Sequence, residues 1–248
     1  MKTLRIISIF LITFFCANIS AQRIQSDSYP AGNDDTLKVT LVGHGSVMFE
    51  YGNRVIHVDP YSNVADYAKL PKANLIILTH EHADHLDTKA IKAVKTPQTQ
   101  FIISVHCKEQ VRDGEVLVNG DRTEFENVPI EVVPAYNVVH KHPLGAYYHP
   151  KGRGNGYVFT FGTLRVYVAG DTENIPEMSL LKDIDIAFLP KNTPYTMTDE
   201  MFIDAAKIIR PTYLYPYHFS SFDEEKISNA LKDSNIQLLV RPMKNTEE

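Results

Sequence analysis

The sequence has no tryptophan, only two cysteines, and fewer basic than acidic residues over its 248 positions. Cys16 lies in an apolar N-terminal stretch, so Cys107 is the one thiol in the rest of the chain. Because a single thiol cannot form an internal disulfide, a core or bound metal must stabilise the fold. The formal net charge of −5 argues against a nucleic-acid surface, since such surfaces carry an excess of basic residues.

The only long apolar run lies at the N-terminus, where residues 1–21 have the pattern of a secretory signal peptide. Lys2 and Arg5 precede an apolar run over residues 6–15, and small side chains follow at Ser20 and Ala21. Because a membrane span needs ~20 apolar residues, the pattern favours a cleaved signal over an uncleaved anchor. Cleavage would leave 23 basic against 30 acidic residues, a formal charge of −7. The sequence therefore predicts a periplasmic or secreted protein without an integral membrane span.

The rest of the chain predicts one α/β domain over residues 37–248, preceded by a linker over residues 22–36 that is rich in turn-forming residues. Runs of Val, Ile and aromatic residues predict strands at 37–42, 47–51, 54–58, 75–79, 101–105, 115–118, 122–125, 130–133, 157–161, 164–169, 184–189, 213–217 and 236–240. Apolar spacing predicts helices at 88–94, 199–209 and 223–232. We expect the three strands between 115 and 133 to form one meander. Two sheets with helices packed outside them fit this order.

Four candidate metal ligands follow the apolar run 75–79 within six positions: His80, His82, Asp84 and His85. Residues beyond the carboxyl end of a strand lie on a loop with a rigid base. His80 and His82 alternate and can face one point, while Asp84 and His85 come one turn later and can face a second. Since imidazole and carboxylate bind Zn²⁺ well, the segment predicts a site for two divalent ions, most simply zinc, with manganese or iron as alternatives. A histidine-rich surface loop is the competing interpretation.

Two other predicted strands also end at a possible ligand. Asp171 follows the strand over residues 164–169, and His218 follows the strand over residues 213–217. Each residue alone has an ordinary explanation, as a turn aspartate or as a partly buried histidine. Three strand ends with metal-type ligands favour a common metal site.

These motifs resemble those of the metallo-β-lactamase superfamily. Residues 79–85 resemble its HxHxDH signature, Gly170-Asp171-Thr172 its bridging-aspartate motif, and His218 its last histidine. Further segments resemble a branch that includes the ascorbate-6-phosphate lactonase-like proteins and, more distantly, the N-acylphosphatidylethanolamine phospholipase D-like ones: Gly43-His44-Gly45-Ser46, Val58-Asp59-Pro60, Leu189-Pro190 and Tyr195-Thr196-Met197. The similarity extends from about residue 37 to about residue 240. It implies a four-layered αββα sandwich with the metals at one edge.

The resemblance also implies which residues bind each ion. His80 and His82 would bind the first ion, and the second would be bound by Asp84, His85 and His218, with Asp171 bridging the two. The family's third histidine for the first ion would fall near Tyr136 and Asn137, and neither is a good substitute. His149, in the irregular stretch 134–156, is the candidate replacement, and His140 and His142 are alternatives. If none of them reaches the metal, the protein would hold one ion.

Several other residues could contribute to the site. Asp59 could fix the tautomer of a ligand imidazole or be a turn aspartate, and His44 could line the pocket or cap a turn. An irregular stretch as long as 134–156 is usually functional. Its cationic side chains, which suit a small anionic substrate or a solvated loop, are Lys141, Lys151 and Arg153.

The predicted function is metal-dependent hydrolysis of a small ester, lactone or phosphodiester. A zinc-bound water has a pKa near ~7, so a metal-bound hydroxide would be the nucleophile at neutral pH. Asp84 would orient that hydroxide or accept its proton. The alternatives are a di-iron oxidoreductase and a metal-binding protein without turnover. The sequence does not determine the oligomeric state.

Overall fold

The computed structural model describes residues 24–242, which form two seven-stranded mixed β-sheets. The first sheet contains, in spatial order, β1 (Gln25–Gly32), β2 (Asp35–Gly43), β3 (Ser46–Tyr51), β4 (Arg54–Val58), β5 (Leu75–Leu78), β6 (Gln100–Ile103) and β7 (Glu115–Val116). The second contains β8 (Arg122–Phe125), β9 (Val128–Ala135), β10 (Gly154–Phe161), β11 (Leu164–Val168), β12 (Ile186–Pro190), β13 (Tyr213–Tyr217) and β14 (Gln237–Leu238). The predicted signal peptide, residues 1–21, lies outside the described residues.

Each sheet is half antiparallel and half parallel. In the first sheet β1 to β4 pair antiparallel, and β4 to β7 pair parallel. In the second sheet β8 to β11 pair antiparallel, and β11 to β14 pair parallel. The parallel halves matter for the site because parallel strands place their carboxyl ends on one edge of a sheet.

The main core lies between the two sheets. Alternate residues of a strand point to opposite faces, so Leu75 and Ile77 of β5 enter this core while Ile76 and Leu78 face the other side. Phe49 of β3 contacts aromatic rings of the second sheet, with centroids 5.3–6.0 Å away. Central strands of the sheets, such as β5 and β12, are therefore buried on two faces, which explains their nearly continuous apolar sequences.

Three helices cover the outer faces of the sheets. They are α1 (Thr88–Val94), α2 (Asp199–Ile209) and α3 (Glu224–Leu231). Buried residues of α1 pack with the outward side chains of β5, and those of α2 and α3 pack with the outward side chains of β12. Thr198 caps α2, since its side chain accepts a hydrogen bond from Met201 N. Helix, sheet, sheet and helix layers confirm the predicted αββα sandwich.

The predicted linker over residues 22–36 is wrong for most of its length. Residues 25–32 form β1, which pairs with β2 along its whole length. Tyr29 and Ala31 enter the core, and Arg241 binds both carboxylate oxygens of Asp27 at 2.9 and 3.0 Å. Pro30 is tolerated because β1 is an edge strand, where a missing N–H leaves no ladder bond broken.

The predicted meander is also wrong at its first strand. β7 pairs parallel with β6 in the first sheet, whereas β8, β9 and β10 form the antiparallel meander of the second. The irregular segment between β9 and β10, residues 136–153, is five residues shorter than the stretch 134–156 predicted from composition. Among residues 24–242, no helix is long and apolar enough to cross a membrane.

Candidate metal centre

The predicted ligands other than His149 come together at one edge of the sandwich, because each follows a strand of a parallel half-sheet. Residues 80–85 follow β5, Asp171 follows β11, and His218 follows β13. The two sheets touch here, since Asn155 N donates a hydrogen bond to Thr79 O at 3.0 Å. Three stretches of chain separated by about 90 and 50 positions therefore meet at a single point.

Four imidazoles converge on the carboxylate of Asp171. The Nε2 atoms of His149 and His218 each lie 3.3 Å from Asp171 Oδ2, and that of His80 lies 4.0 Å away. The Nε2 of His85 lies 3.4 Å from the other oxygen, Oδ1. Asp171 is buried, at 5 % exposure, so these imidazoles rather than water surround it. Asp171 thus occupies the middle of the cluster, as a bridging residue would.

The possible ligand atoms form three groups, each with all its atoms within 4.8 Å of one another. The groups are His80, His82 and His149; His44, Asp84, His85 and His218; and His80, His85 and Asp171. The first group contains the histidine proposed to complete the first site. The second contains the three residues assigned to the second ion, together with His44. This cluster is able to bind metal.

The other two loop histidines lie elsewhere. His140 Nδ1 hydrogen-bonds Glu173 Oε1 at 2.5 Å, and the ring of His142 packs on Tyr148 with centroids 4.0 Å apart. Neither belongs to a ligand group found among the described residues. Asn137 reaches the site only indirectly, because its side-chain oxygen accepts hydrogen bonds from His149.

Hydrogen bonds fix which nitrogen of His85 and of His80 faces the cluster. Asp59 accepts from Thr79 N at 2.8 Å, from Thr79 Oγ1 at 2.5 Å and from His85 Nδ1 at 2.7 Å. Because the Thr79 hydroxyl donates to Asp59, it accepts from His80 Nδ1 at 3.0 Å. Both imidazoles therefore carry their proton on Nδ1 and present Nε2 to Asp171. Of the two roles expected for Asp59, the structure supports the fixing of a tautomer.

Burial and charged neighbours together set the protonation states of the cluster. Burial lowers the pKa of His80, and it lowers that of His149 to about 4, so both rings are neutral near pH 7. Burial alone would raise the pKa of Asp171, but the His218 and His85 imidazoles outweigh it and hold that pKa well below the usual range. Burial alone would lower the pKa of His85 and of His218, but the nearby carboxylates, above all Asp171, outweigh it and raise both. Because cations bind to neutral imidazoles and ionised carboxylates, His80, His149 and Asp171 already have the required form, whereas His85 and His218 would release a proton on binding.

Several buried atoms of the cluster have no hydrogen-bond partner within the structure. They are His80 Nε2, His149 Nε2, Asp171 Oδ1, His218 Nδ1 and His44 Nδ1. A buried polar atom without a partner costs about 1–3 kcal/mol. A cation held by the group of His80, His82 and His149 would satisfy two of these five atoms at once. The residues present therefore fit a metal.

The sequence did not identify His44 as part of this cluster. Its Nε2 lies 2.9 Å from Asp84 Oδ2, and its ring packs on that of His218 with centroids 3.8 Å apart. His44 sits in the turn between β2 and β3, and its carbonyl accepts from His218 N at 2.9 Å. The Gly43-His44-Gly45-Ser46 motif was the available signal. The next residue must be glycine, since a Cβ on Gly45 would lie 2.8 Å from His85 Cε1.

Two side chains open the cluster to solvent. His82 is exposed, and Asp84 has a side-chain exposure of 24 %, whereas the other assigned ligands are buried. Asp84 Oδ2 also lies 3.4 Å from His218 Nε2 and 3.5 Å from His85 Nε2. The approach for a small molecule is therefore on the side of His82 and Asp84.

Comparison with known proteins identifies the family. The family model described as a beta-lactamase superfamily domain matches residues 38–218, which is most of the chain. The chain belongs to the metallo-β-lactamase superfamily. Membership confirms the resemblance read from the HxHxDH and Gly-Asp-Thr motifs, whereas the lactonase-like branch stays a prediction.

Three members or fold relatives of the superfamily are informative. A crystal structure of a protein from Parabacteroides distasonis, described as a metal-dependent hydrolase, is 47 % identical with a TM-score of 0.84, covering 88 % of this chain and 99 % of that one. A UPF0173 metal-dependent hydrolase from Pelotomaculum thermopropionicum is 27 % identical over 201 residues, covering 75 % of this chain and 86 % of the relative. The fold, at 15 % identity, is shared with CmlA, a diiron beta-hydroxylase from Streptomyces venezuelae, with a TM-score of 0.62 and coverages of 86 % and 54 %.

Proposed function

We propose that the protein is a metal-dependent hydrolase of a small ester, lactone or phosphodiester. The observation that carries this proposal is the convergence of four imidazole Nε2 atoms on the buried carboxylate of Asp171. The names of the Parabacteroides and Pelotomaculum relatives point the same way.

We propose that the cluster binds two ions and that these are zinc, with manganese or iron accepted by the same ligands. The first ion would be held by His80, His82 and His149. The second would be held by Asp84, His85 and His218, and Asp171 would contact both ions. His149 removes the gap in the first ligand set that would have favoured a single ion. When bound, such ions lower the pKa of a coordinated water and polarise the bond under attack.

Asp84 is the residue that we assign to proton handling. It is the least buried carboxylate of the cluster, and its Oδ2 lies within 2.9–3.5 Å of three imidazole nitrogens. Those imidazoles hold the carboxylate in one orientation, so it can orient an attacking water and accept its proton. The open side at His82 would admit the substrate.

We also propose that the substrate is anionic. Lys151 is paired with Glu177 at 2.7 Å, and Arg153 is paired with Glu81. A substrate anion would compete with these carboxylates for the two cations. Lys141 lies over the ring of Tyr147, 4.6 Å from its centroid, and is the loop cation that we propose for such a contact.

One experiment tests the hydrolase directly. The full-length protein is assayed on p-nitrophenyl phosphodiesters and on lactones, before and after chelation and after zinc is restored. We expect hydrolysis that chelation abolishes, and an Asp171→Asn variant at least about 100-fold slower, because a ligand should matter more than the 10–100-fold effect of a ligand's neighbour. Asp66→Asn makes the same change at an exposed ion pair with Lys69 and should hydrolyse like the wild type.

The results also separate the alternatives. The fold shared with CmlA and the imidazole–carboxylate ligands keep a di-iron oxidoreductase as the second candidate. Two irons per chain that take up electrons, measured by metal analysis and redox spectroscopy, would replace the hydrolase with that function. Bound metal without hydrolysis of either substrate class would leave a metal-binding protein without turnover.

We also propose that the protein is exported, on the strength of the signal-peptide pattern in residues 1–21. Expression of the full chain followed by N-terminal sequencing of the exported product should give a first residue of Gln22. Recovery of the uncleaved chain inside the cell or in the membrane would contradict this proposal.

A further inference from the structure

The structure assigns a positioning role to Asn137: its side chain orients His149 so that a histidine from a loop can serve as a metal ligand. Asn137 stands where the sequence led us to expect the family's third histidine. The inference depends on the metal site of the proposed function, and it does not depend on which bond, if any, is hydrolysed.

Hydrogen bonds determine which nitrogen of the His149 ring carries the proton. Asn137 Oδ1 accepts from His149 Nδ1 and from His149 N, both at 2.8 Å. Asn137 Nδ2 donates to Tyr195 O at 2.9 Å, which fixes the amide with its oxygen toward His149. Because an amide oxygen only accepts, His149 carries its ring proton on Nδ1. Its Nε2 lone pair is left 3.3 Å from Asp171 Oδ2, buried and without a hydrogen-bond partner.

Asn137 is itself held in place by neighbouring hydrogen bonds. Its N–H donates to His149 O at 2.8 Å, so backbone and side chain both hold the two residues together across twelve positions. The next three residues are held by Glu173, whose buried carboxylate accepts from their backbone N–H groups, at 2.6 Å from Val138, 2.6 Å from Val139 and 2.9 Å from His140. Thus hydrogen bonds within the protein hold the base of the loop.

The residues that hold Asn137 in place are also connected to Asp171. Glu173 lies two residues after Asp171, and Thr172 between them exchanges hydrogen bonds with the backbone of Tyr136 at 3.0 and 3.1 Å. One rigid connection therefore joins Asp171, which follows β11, to Asn137, which follows β9. The same contacts align the loop histidine and the central carboxylate. Residues around a metal ligand commonly orient it in this way.

The test compares the wild type with two variants that differ in their acceptor. Asn137→Ala removes the oxygen that binds His149 Nδ1, while Asn137→Asp keeps an oxygen at the same place and loses only the donor to Tyr195 O. Two quantities are measured: the tautomer of His149 in the metal-free protein, by ¹⁵N NMR of labelled histidine at pH 8, and Zn²⁺ affinity, by competition with a chromophoric chelator. Far-UV circular dichroism confirms that each variant is folded.

We expect the Nδ1–H tautomer in the wild type and in Asn137→Asp, and a mixture of tautomers in Asn137→Ala. The zinc affinity of Asn137→Ala should fall about 10–100-fold, and that of Asn137→Asp by only a few-fold. An Asn137→Ala protein with unchanged tautomer and affinity would overturn the inference. If Asn137→Ala does not fold, an Nε2–H tautomer of His149 in the wild type would still overturn it.

The outcomes distinguish this inference from the proposed function. A wild type that binds zinc with the expected tautomer but hydrolyses nothing would remove the hydrolase and leave the role of Asn137 intact. If the protein hydrolyses a substrate but the substitutions at position 137 do not change its zinc affinity, the hydrolase function would stand and the positioning role of Asn137 would be wrong.

Discussion

Replacing Asp59 with asparagine should weaken metal binding although Asp59 is not a proposed ligand. The buried carboxylate accepts three hydrogen bonds, from Thr79 N at 2.8 Å, Thr79 Oγ1 at 2.5 Å and His85 Nδ1 at 2.7 Å. Asparagine offers one oxygen where aspartate offers two, and its NH₂ group donates toward atoms that are themselves donors. At least one buried donor must lose its acceptor, and His85 can then rotate or change its tautomer.

The size of the effect follows from these contacts. An unsatisfied buried donor costs about 1–3 kcal/mol of unfolding free energy. Loss of a residue that orients a ligand weakens metal binding about 10–100-fold, or roughly 1.4–2.8 kcal/mol. We therefore expect Asp59→Asn to unfold at lower denaturant and to bind zinc at least tenfold more weakly than the wild type.

Zinc affinity is measured by chelator competition, and stability by urea unfolding of the metal-free protein. Asp66→Asn is the matched control, because Asp66 is largely exposed and asparagine also caps a helical turn well. An Asp59→Asn protein that is destabilised yet binds zinc as tightly as the wild type would show that Asp59 is only a turn residue. The tautomer argument for His85 would then be wrong.

The remaining predictions concern the loop ligand, a buried histidine and a close backbone contact. His149→Ala should lose one bound zinc in metal analysis and nearly all hydrolysis, whereas His142→Ala, which removes a histidine of the same loop that packs on Tyr148, should retain both. Burial lowers the pKa of His57 to about 4, against the weaker opposing effects of its hydrogen bond to Pro71 O and of Glu50. Its contribution to stability is complete above pH ~6.5 and falls by roughly 3 kcal/mol as the pH drops toward 4, since only the unfolded chain binds the proton. His57→Gln should flatten that part of the pH–stability curve measured by urea unfolding, and an unchanged slope would contradict the assignment. Gly170→Ala should cost about 2 kcal/mol or more in the same assay, because its φ is +66° and a Cβ would lie 2.7 Å from Asn155 O. Gly145→Ala, with φ +93° but no atom within 4 Å, should cost less; equal losses would refute the steric argument.

The sequence alone determined the elements whose signals are local. β4, β8, β13 and α1 have the predicted bounds, because alternating or continuous apolar residues and helix caps act over a few positions. The ligand cluster after β5 was equally clear, since His80, His82, Asp84 and His85 carry a recognisable spacing. Asp171 and His218 could be predicted because strand ends in a parallel sheet share an edge.

Tertiary structure decided the features that depend on distant partners. β1 has the composition of a linker and becomes a strand only because β2 offers it a ladder and Arg241 binds Asp27. The cations Lys151 and Arg153 looked available in the sequence, but the fold pairs them with carboxylates.

The ligands of the first ion show most clearly which features the sequence determined and which the tertiary structure decided. The sequence revealed that a histidine was missing after β9 and offered three loop histidines to replace it. Only the folded chain brings His149 rather than His140 or His142 to His80, because an irregular loop has no periodicity from which its path can be derived. The position of a ligand at a strand end is determined by the nearby sequence. The position of a ligand on a loop is determined by contacts with distant residues, such as those of Asn137 and Glu173.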